Sequence, residues 1–139
     1  MKKRTPVSDI MTKNVITLNT TDDLEKAENL FKLYNIRHIP VVSGEAIIGM
    51  LSYTDLLRIS FADATDDQDS DVDTVVYNMF TIEQVMAKNL ISVSSSTTIK
   101  EVAELLSKKE FHALPVVDNN VLVGIVTTTD LINYLINQF

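Results

Sequence analysis

The chain has 139 residues, of which 45% are hydrophobic, and this suffices for one compact body of ordinary domain size. It contains no cysteine, which excludes disulfides, thiolate nucleophiles and cysteine metal sites. The net charge of −7 opposes non-specific binding to nucleic acid. No apolar run resembles a signal peptide or approaches membrane-spanning length, and we therefore expect a cytoplasmic protein without a membrane partner.

The first half of the chain is predicted to form a strand, a helix, two strands and a closing helix. Asp23 can cap the first helix, because its side-chain oxygens accept hydrogen bonds from free amides of the first turn. The apolar residues that follow lie at helical spacing: Leu24, Ala27, Leu30, Phe31 and Tyr34. The other predicted elements are a helical turn at residues 7–11, strands at 15–18, 39–42 and 46–51, and the closing helix at 54–60.

Residues 61–80 differ in composition from the segments on either side. They contain little that could be buried, and six aspartates: Asp63, Asp66, Asp67, Asp69, Asp71 and Asp73. One interpretation is a divalent-cation or regulatory loop, but the glycine and the terminal glutamate of a calcium loop are missing. We favour the alternative, a solvated acidic linker whose like charges repel one another and keep it extended.

The second half repeats the first at a constant offset of 75 residues, so that residues 82–133 align with residues 7–58 without a gap. Its first helix begins at Thr98, whose hydroxyl together with Glu101 fits a capping box. The remaining predicted elements are a helical turn at residues 82–86, strands at 91–93, 114–117 and 121–126, and a closing helix at 129–138.

This duplication predicts the domain organisation. We expect a first repeat at residues 1–60, an acidic linker at 61–80 and a second repeat at 81–139. A repeat this short buries too little surface alone. The two copies are therefore expected to pack together around an approximate two-fold axis, with the function in a cleft between them.

The last strand of each copy leads into its closing helix through the same motif. It consists of Gly49, Ser52, Thr54 and Asp55 in the first copy, and of Gly124, Thr127, Thr129 and Asp130 in the second. Glycine lets a ligand approach the backbone, a carboxylate suits the adjacent hydroxyls of a ribose, and hydroxyls beside free helix amides favour a phosphate oxygen. An ordinary helix cap uses the same residue types. Two copies at one offset, each beside a Pro-Val-Val strand, favour a ribonucleotide site.

With these motifs the sequence closely resembles the CBS (cystathionine β-synthase) domain family in its tandem form, the Bateman module. The resemblance covers residues 7–133 apart from the linker; it rests on the Asp-Ile-Met-Thr-Lys-Asn-Val opening, the Ile-Pro-Val-Val strand and the Gly-x-x-Ser/Thr-x-Thr-Asp ending. It implies an α/β (α+β) fold of two β-α-β-β-α repeats packed through their sheets. It also implies clefts that bind adenosyl ligands such as AMP, ADP, ATP or S-adenosylmethionine, and dimerisation into a flat disc.

Carried over position by position, the resemblance implies how such a ligand is held. Asp55 and Asp130 would bind the ribose hydroxyls, with Ser52, Thr54, Thr127 and Thr129 near ribose or phosphate. Contacts to the adenine edge and to phosphate would come from Ile36, Arg37, His38, Phe111, His112 and Ala113, and weaker adenine contacts from Thr17 and Ser92. The first copy has two phosphate donors, Arg37 and His38, where the second has His112 and a neutral Ala113, so the two sites need not bind equally.

Several of these residues also have a purely structural interpretation. Arg37 and His38 suit exposed polar positions before a strand. His112 suits a packed or solvent-bonded histidine, and two isolated histidines do not make a zinc site. Met11 and Met86 suit core filling better than a recognition surface.

Neither copy supplies a nucleophile, a base and an orienting group in plausible proximity, and no Walker-type loop is present to hold a triphosphate for transfer. We therefore predict a non-enzymatic regulatory module with no metal and no required cofactor, whose regulatory ligand is an adenine nucleotide or a related adenosyl compound. It is expected to form a homodimer and to act on a separate effector protein. The alternative is a scaffold that dimerises or binds a partner without a ligand.

Overall fold

The computed structural model describes residues 4–63, 77–109 and 111–139. Most of the predicted acidic linker, residues 64–76, lies outside the described residues. The described chain divides into two compact units. The first unit comprises residues 16–89, and the second unit comprises residues 4–15 together with 90–139. Each unit thus contains most of one repeat and the opening of the other.

The first unit is built around a three-stranded sheet. Its elements in chain order are β1 (Leu18–Asn19), α1 (Leu24–Tyr34), β2 (His38–Ser43), β3 (Ala46–Ser52), α2 (Tyr53–Asp63) and α3 (Ile82–Val85). The strand order is β1-β2-β3, with β1 parallel to β2 and β2 antiparallel to β3. This confirms the predicted element order, although α2 continues to Asp63, past its predicted end at residue 60.

Helix α1 begins and ends at short polar side chains. The Asp23 carboxylate accepts a 2.8 Å hydrogen bond from the Lys26 amide, which confirms the predicted cap. Asn35 ends the helix in the left-handed region, at φ 53°. Three of the predicted apolar positions are buried: Leu24, Ala27 and Phe31. Tyr34 is instead 51% exposed, because it is the last residue of the helix, where the chain turns away.

The second unit repeats this arrangement with a shorter first strand. Its elements are a 3-10 turn (Val7–Asp9), α4 (Ile99–Lys108), β4 (Ala113–Asp118), β5 (Val121–Thr127) and α5 (Thr128–Ile136). β4 and β5 are antiparallel. Where the first unit has β1, Val93 forms a single parallel bridge with Val116. The predicted strand at residues 91–93 is thus reduced to one bridging residue.

Short polar residues determine the helix start and the hairpin turn of the second unit. The Thr98 hydroxyl oxygen accepts a 3.1 Å hydrogen bond from the Glu101 amide, which confirms the cap of α4. The carboxylate of Glu101 accepts a 3.0 Å bond from the Thr98 hydroxyl, where a full capping box would use the Thr98 amide. Asn119 and Asn120 form the turn between β4 and β5 with φ values of 51° and 67°, the left-handed pair typical of a tight hairpin.

The two repeats exchange their opening segments. In the first unit, Met50 of β3 and Ala87 form two backbone hydrogen bonds, of 3.0 and 2.9 Å. In the second unit, Ile125 of β5 and Thr12 form the equivalent pair, of 3.0 and 2.9 Å. The opening of each repeat therefore extends the sheet of the other repeat.

The exchanged openings also fill the cores. Val7, from the first opening, is 0% exposed and packs in the core of the second unit with Val102, Leu114 and Val116. Ile82, from the second opening, is likewise 0% exposed and packs in the core of the first unit. Burying side chains of this size contributes on the order of 1.5–3 kcal/mol each. Each unit therefore depends on a segment that is distant in the sequence.

The Asp118 carboxylate binds Ser95 in the segment that precedes α4, and this contact predicts an acid-sensitive contribution to stability. Asp118 accepts hydrogen bonds from the Ser95 hydroxyl at 2.5 Å and from the Ser95 amide at 3.0 Å. These two bonds lower the pKa of the Asp118 carboxyl below its ordinary value of 3.8. The ionised form therefore stabilises the fold above that value, and the contribution is lost as the pH falls through the lowered pKa.

We expect wild-type protein to be more stable than Asp118→Asn at about pH 7, with the difference diminishing as the pH falls below 3.8 and through the lowered pKa. Urea unfolding across that range measures it. The control is Ser43→Asn, at the equivalent position of the first repeat, whose effect should not vary with pH because serine does not titrate. A constant Asp118→Asn effect down to about pH 2 would contradict the assignment.

Candidate functional site

In the first unit, the motif lies where β3 ends and α2 begins. The Ser52 hydroxyl oxygen accepts a 3.0 Å hydrogen bond from the Asp55 amide, so Ser52 caps the helix. The half-buried Asp55 carboxylate accepts a 3.1 Å bond from the Arg58 guanidinium. Thr54 is exposed beside them. A hydroxyl, a carboxylate and the first turn of a helix thus share one short segment.

The residues before β2 adjoin this segment through the hairpin register. His38 is the strand partner of Ser52. The Arg37 carbonyl accepts a 2.9 Å hydrogen bond from the Tyr53 amide at the helix start. Ile36 and His38 are half-buried, and Arg37 is exposed. We call residues 36–38 and 52–58 together the first junction.

In the second unit, the equivalent segment forms a complete capping box. The Thr127 hydroxyl oxygen accepts from the Asp130 amide at 3.2 Å, and the Asp130 carboxylate accepts from the Thr127 amide at 2.9 Å. Thr129 is exposed. An ionised carboxylate has about four acceptor positions. One bond to the backbone therefore leaves Asp130 able to accept hydrogen bonds from a ligand.

The residues before β4 meet this segment as they do in the first unit. Ala113 is the strand partner of Thr127, and the His112 carbonyl accepts a 3.0 Å hydrogen bond from the Thr128 amide. Ala113 is buried, Phe111 is half-buried against the core, and His112 is exposed. We call residues 111–113 and 127–133 the second junction.

Two predicted residues lie apart from the helix starts. Thr17 directly precedes β1 and is half-buried. Ser92 directly precedes the bridging Val93 and is exposed. Thr17 therefore lies on the side of β2 that is away from β3. Ser92 lies on the corresponding side of β4, away from β5.

The glycines of the motif have a packing role. A Cβ atom added at Gly49 would lie 2.2 Å from the Met86 sulfur, and one added at Gly124 would lie 2.6 Å from the Met11 sulfur. Both glycines therefore make room for a methionine of an exchanged opening. Met86 is 8% exposed, which confirms its prediction as core filling.

Arg58, which pairs with the Asp55 carboxylate, was not among the predicted site residues. Its spacing from Asp55, three residues along a helix, places the two side chains as neighbours on the helix surface. That spacing is a signal available from sequence. The equivalent residue in the second repeat is Asn133, which is exposed and uncharged.

The described part of the chain also bears on other kinds of site. Within residues 4–63, 77–109 and 111–139, no group of three or more histidine, aspartate or glutamate side chains is arranged to hold a metal ion. None of the helices in those ranges has both the length and the apolar composition required to cross a membrane.

Comparison with known proteins matches both repeats to one family. The family model of the CBS domain matches residues 7–62 and again residues 82–137. The CBS domain-containing protein YhcV of Bacillus subtilis (strain 168) is 30% identical over 133 residues, which cover 95% of this chain and 87% of that protein. Several further curated relatives are longer, and this chain spans 22–42% of their lengths.

Solved structures share the fold over nearly the whole chain. The CBS domain pair of protein MJ0100, in complex with 5′-methylthioadenosine and S-adenosyl-L-methionine, is 26% identical with a TM-score of 0.79; the match covers 97% of this chain and 98% of that one. CBSX2, in complex with AMP, is 22% identical with a TM-score of 0.78, covering 96% and 98%.

Proposed function

The chain belongs to the CBS domain family, of which it carries two repeats, and on that basis we propose that it is a non-enzymatic regulatory module for an adenosyl ligand. The observation that carries the proposal is the chemistry of the two junctions. Each combines a carboxylate at a helix start, hydroxyl groups at a strand end and the backbone that precedes a neighbouring strand. These groups match the ribose, phosphate and base of a nucleotide.

The similarity to MJ0100 supports the adenosyl class. Its CBS domain pair binds 5′-methylthioadenosine and S-adenosyl-L-methionine. Both compounds contain an adenosine moiety, and neither contains a phosphate. The adenosine moiety, with its two ribose hydroxyls, is what these ligands have in common with AMP, ADP and ATP. We therefore propose that Asp55 and Asp130 bind ribose hydroxyls, with the other residues of the two junctions, and Thr17 and Ser92, around them.

A scaffold function is the second candidate, and the last helix favours it. Ile132, Leu135 and Ile136 of α5 are 57%, 45% and 61% exposed, and Phe139 beyond it is 98% exposed. Apolar side chains clustered at a surface are typical of a protein interface. We propose that this surface serves a homodimer or a separate effector protein. It could do so with or without a ligand.

The test is ligand-dependent melting. A ligand that binds only the folded state stabilises it by about 2.7 kcal/mol at a hundredfold excess over its dissociation constant. For a domain of this size, that corresponds to a rise in Tm on the order of 5–15 °C. We expect AMP, ADP or ATP to give such a rise, and the 2′-deoxy compounds to give a much smaller one, because they lack one of the two hydroxyls.

Equal shifts with ribo and deoxy compounds would remove the ribose role of the aspartates. If no adenosyl compound, including S-adenosylmethionine, changes the Tm, the scaffold function is favoured. Guanosine nucleotides are the matched control, since they have the same ribose and phosphates with a different base. Mass spectrometry of ligand released from the purified protein identifies the compound directly.

A further inference from the structure

The duplication provides an internal comparison, because each residue of one junction has an equivalent in the other. Asp55 and Asp130 occupy equivalent positions, but their side-chain partners differ. The Asp55 carboxylate is paired with the Arg58 guanidinium at 3.1 Å, whereas the Asp130 carboxylate is bound by the Thr127 amide. Asn133 replaces Arg58 in the second repeat. Among the described residues, the first carboxylate thus has a cationic partner and the second does not.

Arg58 is free to exchange this partner for another. Its side chain is 72% exposed and that of Asp55 is 28% exposed, so water screens the pair and the ion pair contributes little to stability. A ribose that bonds to Asp55 can therefore displace the guanidinium. Once displaced, the guanidinium stays within one helical turn of the ligand. Its planar donors match a phosphate group in a two-bond geometry.

The first junction also carries a more positive net charge than the second. The first junction contains Arg37, Arg58 and Asp55, which together carry one net positive charge. In the second junction the equivalents of the two arginines are His112 and Asn133. With neutral histidine, Asp130 leaves that junction one net negative charge.

The charges from the exchanged openings do not alter this difference. Lys88 follows Ala87, which pairs with β3, and Lys13 follows Thr12, which pairs with β5. The two lysines are equivalent under the 75-residue offset, so each unit has one at this position, outside the junction itself. The two junctions therefore differ by two charges, and Arg58 accounts for one of them.

We propose that the two repeats select adenosyl ligands by charge, and that Arg58 is the residue that makes the first repeat favour a phosphate-bearing ligand. In this proposal, which rests on the proposed function, Arg58 pairs with Asp55 in the free protein and with phosphate in the complex. The second repeat, with Asn133 at this position, favours uncharged or cationic adenosyl compounds such as adenosine or S-adenosylmethionine.

The test exchanges the two residues in the intact chain. Arg58→Asn is prepared together with Asp130→Asn, which weakens the second site, and Asn133→Arg together with Asp55→Asn, which weakens the first. Each is compared with its single aspartate variant by calorimetric titration with ATP and with adenosine. We expect Arg58→Asn to weaken ATP about tenfold and to leave adenosine within about twofold, and Asn133→Arg to strengthen ATP severalfold.

Arg58→Lys is the matched control, because it keeps the charge but loses the planar fork, and it should lie between wild type and Arg58→Asn. Circular dichroism verifies folding, which substitutions at the exposed positions 58 and 133 should not affect. If ATP and adenosine both bind and their affinity ratio is unchanged by Arg58→Asn, the inference is overturned while the proposed function stands. If neither ligand binds the wild-type protein, both are overturned.

Discussion

Gly124→Ala is expected to destabilise the protein by about 1–3 kcal/mol and Gly49→Ala by less, although the two glycines are equivalent in the duplication. At Gly124, the new methyl group would lie 3.0 Å from the backbone oxygen of Thr12, which accepts a hydrogen bond from the Ile125 amide. At Gly49, the three nearest atoms all belong to the flexible Met86 side chain. A side chain can move aside more readily than a hydrogen-bonded backbone. Urea unfolding measures both variants.

Double-mutant cycles separate the two causes. In a Met86→Ala background, Gly49→Ala should cost much less than in the wild type, because all three of the close atoms are gone. In a Met11→Ala background, Gly124→Ala should keep part of its cost, because the Thr12 oxygen remains. Gly44→Ala is the control for backbone strain alone, since Gly44 has φ +63° and an added methyl group there would have no atom within 4 Å. Equal losses in the wild type, and equal reductions of those losses in the two methionine backgrounds, would contradict this account.

Asp55→Ala and Asp130→Ala should each weaken an adenosyl ligand by about tenfold to a hundredfold at their own site. A hydrogen bond to a charged group contributes roughly 1.5–3 kcal/mol, which corresponds to that loss of affinity. Calorimetric titration of each variant with AMP or ATP measures it. Wild-type affinity in both variants would contradict the assignment of the site, even with the fold intact.

Asp55→Ala and Asp130→Ala should lower the free energy of unfolding by different amounts. If both nevertheless weaken the ligand, the loss of affinity does not simply follow the loss of stability. Asp55→Ala removes an exposed ion pair with Arg58, which contributes about 0–1 kcal/mol. Asp130→Ala removes half of the capping box of α5, which we expect to cost about 0.5–2 kcal/mol. Asp130→Asn keeps an oxygen that can accept from the Thr127 amide. It should therefore retain more stability while still losing the charged contact to ribose.

The features predicted most successfully are those whose causes lie within a few residues. Apolar spacing and the caps at Asp23 and Thr98 predicted helices α1 and α4, because both depend on groups within one or two helical turns. The strands predicted at residues 39–42 and 46–51, and at 114–117 and 121–126, form the two hairpins. Residues 52–55 and 127–130 end each hairpin and begin a helix. Their hydrogen bonds join residues only three apart, so these helix starts also have a local cause.

The hairpin register also explains why the candidate junctions could be approached from the sequence. Antiparallel pairing places His38 opposite Ser52, and Ala113 opposite Thr127. The tight turn of each hairpin thus brings the residues before it beside the residues after it. The roles of these residues toward a ligand remain predictions for the titrations described above.

The exchange of openings was decided by the tertiary structure alone. The sequence itself determined that a unit of strand, helix, strand, strand and helix occurs twice, because a constant offset and local periodicity are visible along the chain. It did not indicate that Met86 covers Gly49 or that Met11 covers Gly124, since no periodicity connects residues so far apart. Those contacts form because the last strand of each sheet has free backbone groups that the other repeat's opening can pair with. This pairing gives the two glycines a packing role where the sequence had suggested only space for a ligand.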